Sequence, residues 1–163
     1  MSKLDKKDCI ILNILQKNCR TSLTNIAKQV NLSIDSVKKR LNKLEDKKIF
    51  SPKVQIKPRS FGFENIVDVK IRLFNHSEED IHQLIKYAID HPKIPEIFRI
   101  SGEWDLSLVI ISKNADDLGN ITSEIKNKFG KIIGSWNESI TLKSYKFETY
   151  DMSKLMGFDG GLS

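Results

Sequence analysis

Ser33, Asp35, Ser36 and Lys39 lie within seven consecutive positions and bring hydroxyl, carboxylate and ammonium groups to one short stretch. The set has a defined use at the edges of base pairs. An ammonium donates to guanine O6 or N7, a carboxylate accepts from the cytosine amine, and a hydroxyl serves either. Thr21, Ser22, Lys28, Lys38, Arg40 and Lys43 surround them and are donors of the kind that hold phosphate oxygens and fix register without reading sequence. The chemistry expected of this region is recognition of double-stranded DNA, not bond making. No nucleophile stands beside a base, and no phosphate loop or pair of catalytic carboxylates is recognisable. No catalytic residue and no cofactor is expected.

These side chains need two helices to position them. Ile34, Val37, Leu41 and Leu44 recur at helical spacing and gather within an arc of about 80°. One face of this segment is therefore expected to be core, with Asp35, Ser36, Lys39, Asn42, Lys43 and Lys47 opposite and Lys38 and Arg40 flanking the stripe. Ser33 supplies an N-cap. In the preceding segment Leu23, Ile26, Ala27 and Val30 form a matching stripe, and Asn31 tolerates the left-handed backbone that a tight turn needs. Leu4, Asp8, Ile11, Leu12, Ile14 and Leu15 predict an earlier helix, opened by Ser2 or Asp5 and closing near Asn18, because two helices alone cannot bury both stripes.

Charge is polarised along the chain. Residues 1–60 hold fifteen Lys and Arg against five Asp and Glu, a net of +10, while residues 61–163 hold twelve against sixteen, a net of −4. One end is suited to a polyanion. A chain of 163 residues accommodates two small domains. The expected divisions are 1–52 as a helix-turn-helix unit, 53–63 as a wing strand and linker, 64–150 as a second domain, and 151–163 as a flexible tail. The wing rests on Val54 and Ile56 alternating after Ser51-Pro52. No apolar stretch approaches membrane-spanning length and no signal peptide is apparent, so a cytoplasmic location is expected. Cys9 and Cys19 match no zinc or redox spacing, and His76, His82 and His91 are scattered, so no metal site is expected.

From Glu64 the rhythm changes. Val67, Val69, Ile71 and Leu73 alternate with Asp68, Lys70 and Arg72, the period of a strand. A helical stripe (Ile81, Leu84, Ile85, Ala88), strands at 97–100 and 106–111, a helix carrying Leu118, Ile121, Ile125 and Phe129, and a long strand from about Ile133 to Tyr150 follow, with a bend near Lys143–Ser144. The order βαββαβ is ferredoxin-like, making the whole chain α+β. Because 106–111 is apolar at both parities apart from Ser107, the sheet face away from the helices is expected to pack on a second copy, giving a homodimer.

LDKKDCIILNILQKNCR, IAKQVNLSIDSVKKRLNKLEDKKI and SGEWD, in this order and with this domain layout, resemble the Lrp/AsnC (feast/famine) transcriptional regulators over residues 3–150, with an archaeal flavour in the stretch from Ile132-Ile133-Gly134 to Lys146. The resemblance implies a winged helix-turn-helix, a RAM-type ferredoxin-like domain that dimerises and assembles further into tetramers or octamers, and an amino-acid effector held near the Gly-containing turn. Ser101, Gly102, Glu103, Trp104 and Asp105 are the effector candidates: Gly102 would let backbone N–H groups approach a carboxylate, and Asp105 could meet an ammonium. The chain departs from the family where Lys48 stands at a customary Gly, and again near Ser51 and Pro52. Siroheme decarboxylase subunits resemble the same layout, which makes a tetrapyrrole enzyme one alternative, and an interaction module that has lost DNA another.

Overall fold

The computed structural model describes residues 4–158. In chain order its elements are α1 (Lys6–Lys17), α2 (Leu23–Val30), α3 (Ile34–Asp46), β1 (Asn65–Leu73), α4 (Glu78–Asp90), β2 (Glu96–Arg99), β3 (Leu106–Ser112), α5 (Ala115–Phe129), β4 (Ile133–Ile140) and α6 (Met152–Leu155). Two compact units result: a helical one built from residues 4–55 and 145–158, and a sheet unit, Ile56–Ser144.

In the helical unit Asp5 caps α1 and forms a reciprocal capping box with Asp8, so that two of the helix's orphan N–H groups are satisfied. Ser22 and Ser33 cap α2 and α3 through their hydroxyls. Asn31 ends α2 in the left-handed region, φ 51°, and produces the tight turn its residue type suggested. Ile11, Ile14, Ile26, Ala27, Val30 and Val37 make the shared core. Ile34 is a correction to the expected stripe. It sits at the first position of α3, before a full turn has packed, and is 45% exposed, leaving Val37 and Leu44 as the buried anchors.

The tail also departs from expectation. Asp151 caps α6, which packs on α1. Asn13, on the buried side of α1, donates to Asp151 at 3.2 Å and to Ser153 Oγ at 3.4 Å, and its own carbonyl accepts from the Met152 N–H at 2.8 Å. Gln16 exchanges two further bonds with the Tyr150 backbone. A buried amide left unpaired costs about 1–3 kcal/mol, and the returning segment removes that cost. The flexible-tail expectation therefore fails for residues 151–158, and its remainder, 159–163, lies outside the described residues.

Residues 53–57 form no strand, and Val54 and Ile56 are exposed. A strand needs a partner strand for its N–H and C=O groups, and no strand pairs with this stretch among the described residues. A 3-10 turn, Pro58–Phe61, follows and closes at Gly62, φ 93°.

The sheet has the order β2-β3-β1-β4, all neighbours antiparallel. Val67, Val69 and Ile71 lie opposite Ile110, Leu108 and Leu106, and with Ile81, Leu84, Ile121 and Ile125 of the two helices they fill the core. The other face carries Asp68 and Lys70 on β1, Ser107 and Val109 on β3, and Phe98, 52% exposed, on β2. The last strand stops at Ile140, ten residues before the expected Tyr150. Its neighbour β1 begins there: Ile140 pairs with Val67, and the Thr141 N–H reaches Ile66 O, one residue inside the start of β1 at Asn65. Beyond it the Arg59 guanidinium takes the carbonyls of Thr141 and Leu142. Lys143 and Ser144, where a bend within the strand was expected, lie beyond its end, and a separate register shift between β1 and β4 falls between Arg72 and Leu73.

Candidate nucleic-acid interface

Helix α3 presents an outward row of Asp35, Lys38, Lys39, Asn42 and Lys43, all exposed, behind the exposed Ile34. Lys28 of α2 is likewise exposed. These are the parts of the sequence-derived set that the fold leaves open to a partner.

Other members have prior engagements. Ser33 Oγ accepts from the Ser36 N–H at 3.2 Å and donates to Ser36 Oγ at 2.8 Å, so both hydroxyls are occupied in starting the helix. Thr21 donates to the Asn18 carbonyl at 2.8 Å, and Ser22 accepts from Asn25 N–H at 3.2 Å. Arg40 departs furthest from the expected phosphate role. Its Nη1 lies 2.6 Å from Asp5 and 2.7 Å from Asp8, clamping α3 to the start of α1. Desolvation works against ionising Asp5, but the Asp8 N–H and the Arg40 guanidinium outweigh it and hold the carboxyl below its ordinary value. The same two carboxylates push Arg40 upward. An arginine neutralised in this way adds little to the field that a phosphate feels.

The end of α3 carries a Schellman motif. Ile49 N–H bonds to Leu44 O at 3.0 Å and Lys48 N–H to Glu45 O at 2.8 Å. The motif needs a left-handed residue, and Lys48 occupies it at φ 55°, where glycine is the low-cost choice. Lys7 donates to the Val30 carbonyl at the end of α2, fixing the turn into α3 from the other side.

In the sheet unit the residues singled out around Gly102 are largely consumed by their own chain. Gly102 adopts φ 123° and is exposed. Glu103 pairs with Arg72 at 2.9 Å, Arg72 also donates to the Glu103 carbonyl at 2.8 Å, and its guanidinium stacks 5.4 Å from the centre of Trp104. Asp105 accepts from the Leu73 N–H at 2.7 Å. That bond satisfies an N–H just past the end of the β1–β3 ladder, whose last pair is Ile71 with Leu106, so the carboxylate proposed for an ammonium already serves the sheet. Ser101 is exposed.

Comparison with known proteins follows the same division. Residues 4–45 match the AsnC-type helix-turn-helix domain, and residues 66–150 match the Lrp/AsnC ligand binding domain. The chain belongs to the Lrp/AsnC family. It is 31% identical over 132 residues to the HTH-type transcriptional regulator LrpA of Pyrococcus horikoshii, covering 80% of this chain and 89% of that protein. It is 34% identical over 103 residues to the DNA-binding transcriptional activator DecR of Escherichia coli, 63% of this chain and 68% of the other. The fold is shared with a transcriptional regulator of Neisseria meningitidis solved in complex with L-Met, at TM-score 0.83, 21% identity, and 94% and 99% coverage. E. coli AsnC superposes with TM-score 0.76 at 22% identity, over 92% and 99% of the two chains. This Lrp/AsnC protein is thus a transcriptional regulator with a DNA-binding helix-turn-helix and a ligand-binding domain. The matched families are those of regulators, which does not favour the siroheme decarboxylase alternative. No helix among the described residues is long and apolar enough to cross a membrane.

Proposed function

We propose that this regulator reads DNA sequence with the first half of α3 and holds the backbone with lysines around it. Asp35 and Lys39 take base edges, with Ser36 behind them. Lys28, Lys38 and Lys43 take phosphates, with Thr21 and Ser22 as lesser contacts. Ile34 joins the readers: an exposed aliphatic side chain at the start of the helix suits a thymine methyl. The observation that carries the reading is the exposure of this row while Arg40, the one arginine of α3, is held by Asp5 and Asp8. Scarce bidentate arginine makes the expected specificity modest and dependent on half-site spacing.

A second copy on the open sheet face, over Phe98 and Val109, would present two reading helices to two half-sites, and tetramers or octamers of such dimers are the natural extension. The sheet unit would bind an amino acid, a reading supported by the ligand-binding family it matches and by the L-Met in its Neisseria neighbour. Selection of bound duplexes from a random pool, followed by titration of the winner at several salt concentrations, tests the whole. A recurrent motif with a steep salt slope is expected. Binding without sequence preference, or none in dilute salt, overturns it.

A further inference from the structure

The helical unit is made from two separate stretches of chain, residues 4–55 and 145–158, so the chain passes between the two units twice. In the sheet unit one side chain gathers both passages. Arg59, in the Pro58–Phe61 turn, donates from Nε to the Glu64 carbonyl at 3.0 Å and from Nη1 to the Leu142 carbonyl at 3.2 Å, while Nη2 takes the Thr141 carbonyl. In the helical unit the same passages end on different helices. The first leaves α3 through the Schellman turn at Lys48 and Ile49. The second is seated on α1, where the buried Asn13 bonds Asp151, Met152 and Ser153, and Gln16 bonds Tyr150.

From this connectivity we propose that Asn13 and Arg59 are positioning residues for half-site spacing, a proposal that rests on the two-half-site reading above. They make the segment after β4 a second tether, which limits how far the DNA-reading unit swings from the sheet unit. A unit held by one flexible chain of about ten residues can swivel about it and reach over roughly 16–19 Å. A second chain, started from the same point and fastened to another helix, removes the swivel and restricts the reach to what both chains allow. Neither Asn13 nor Arg59 touches a base. The separation that two reading helices can span nevertheless follows from them, because half-site spacing is a geometric property of the protein.

Full-length variants test it. Asn13→Asp sets a carboxylate against Asp151 and removes the amide donor, while Asn13→Asp combined with Asp151→Asn restores a donor and acceptor and still caps α6. Arg59→Gln, at an exposed position, parts the passages at the sheet end. An insertion of about six Gly and Ser residues after Ser144 keeps the contacts of Asn13 and Arg59 and only slackens the second passage, at small entropic cost. Binding is measured on the duplex recovered from the random pool and on copies whose half-site separation is changed in steps up to about half a helical turn; 15N relaxation gives the rotational correlation time of each unit. The unaltered chain should lose affinity about tenfold or more as separation changes, and its helical unit should tumble with the sheet unit. Asn13→Asp, Arg59→Gln and the insertion should each flatten the spacing dependence and shorten the correlation time of the helical unit, and the double exchange should restore both. A spacing dependence that survives the insertion, or equal correlation times in the parent and slackened chains, overturns the tether. A parent that binds but ignores separation overturns the half-site reading and the positioning role together. A parent that binds no duplex overturns the DNA reading, and the correlation times still decide the tether.

Discussion

Arg40 of α3 and Asp8 of α1 meet at 2.7 Å across 32 positions of sequence, with the Asp8 side chain 11% exposed and Arg40 30% exposed. The contact makes the lysine-rich α3 depend on the cap of α1. Arg40→Ala should therefore destabilise the helical unit by about 1.5–3 kcal/mol, the range for hydrogen bonds to charged groups. Asp8→Asn should cost more than Asp5→Asn, since asparagine still caps a helix and Asp5 is the more exposed partner. Urea midpoints of the three variants measure this; equal values for all three and the parent would refute the clamp.

Lys48 offers the opposite case. A lysine in the left-handed region costs about 1–2 kcal/mol relative to glycine, part of which returns as the greater freedom of glycine in the unfolded chain. Lys48→Gly should stabilise by about 1 kcal/mol, a rise of about 4–8 °C in Tm for a unit of this size. Lys48→Ala retains the strain and should not. Thermal melts monitored by far-UV circular dichroism decide between them.

Both residues mark where sequence reading reached and where it stopped. Periodicity found α1, α2, α3, α4, α5 and the alternation of β1 because each repeats its own local pattern, and Asn31 announced its turn by residue type. Ile34 obeyed the periodicity and yet is exposed, since a stripe records only which side of a helix is apolar, not how far along it the neighbours extend. Helix α6 has four residues, too few for any period, and its reason to exist is Asn13, 138 positions away from Asp151. An Asn within an apolar helix was the available signal. The candidate site was legible as a set of donors and acceptors, but which were already engaged depended on Asp5, Asp8 and Leu73, partners that spacing does not reveal.

Acid should weaken both units in one window. Asp80 is held below 3.8 by the Ser77 hydroxyl and N–H, Asp117 by Lys93 and the Lys113 N–H, and Asp151 by the Lys154 N–H and Asn13. Asp5 joins them through Asp8 and Arg40, against its own desolvation. Carboxylates lowered in the folded state contribute stability that is present above the unfolded value and lost as pH falls through the folded ones. Urea midpoints should stay level from pH 7 to 5 and drop below about pH 4. Asp117→Asn should shrink the drop, and a decline already complete by pH 5 would assign it to other groups.

Division of labour on α3 gives the sharpest test of the DNA reading. Lys43→Ala should weaken binding uniformly across sequences and reduce the magnitude of the salt slope by about 1, as for a phosphate contact. Lys39→Ala should relax preference at one base position at a cost of about 1–3 kcal/mol, and Ile34→Ala should lower the preference for thymine at a neighbouring one. Arg40→Ala, measured below its melting temperature, should leave the salt slope unchanged, because Asp5 and Asp8 already neutralise the guanidinium. The fourth outcome separates the fold from the field around it: a slope that falls as far for Arg40→Ala as for Lys43→Ala would mean that Arg40 leaves its carboxylates to meet DNA, and the clamp would then be a feature of the unbound protein alone.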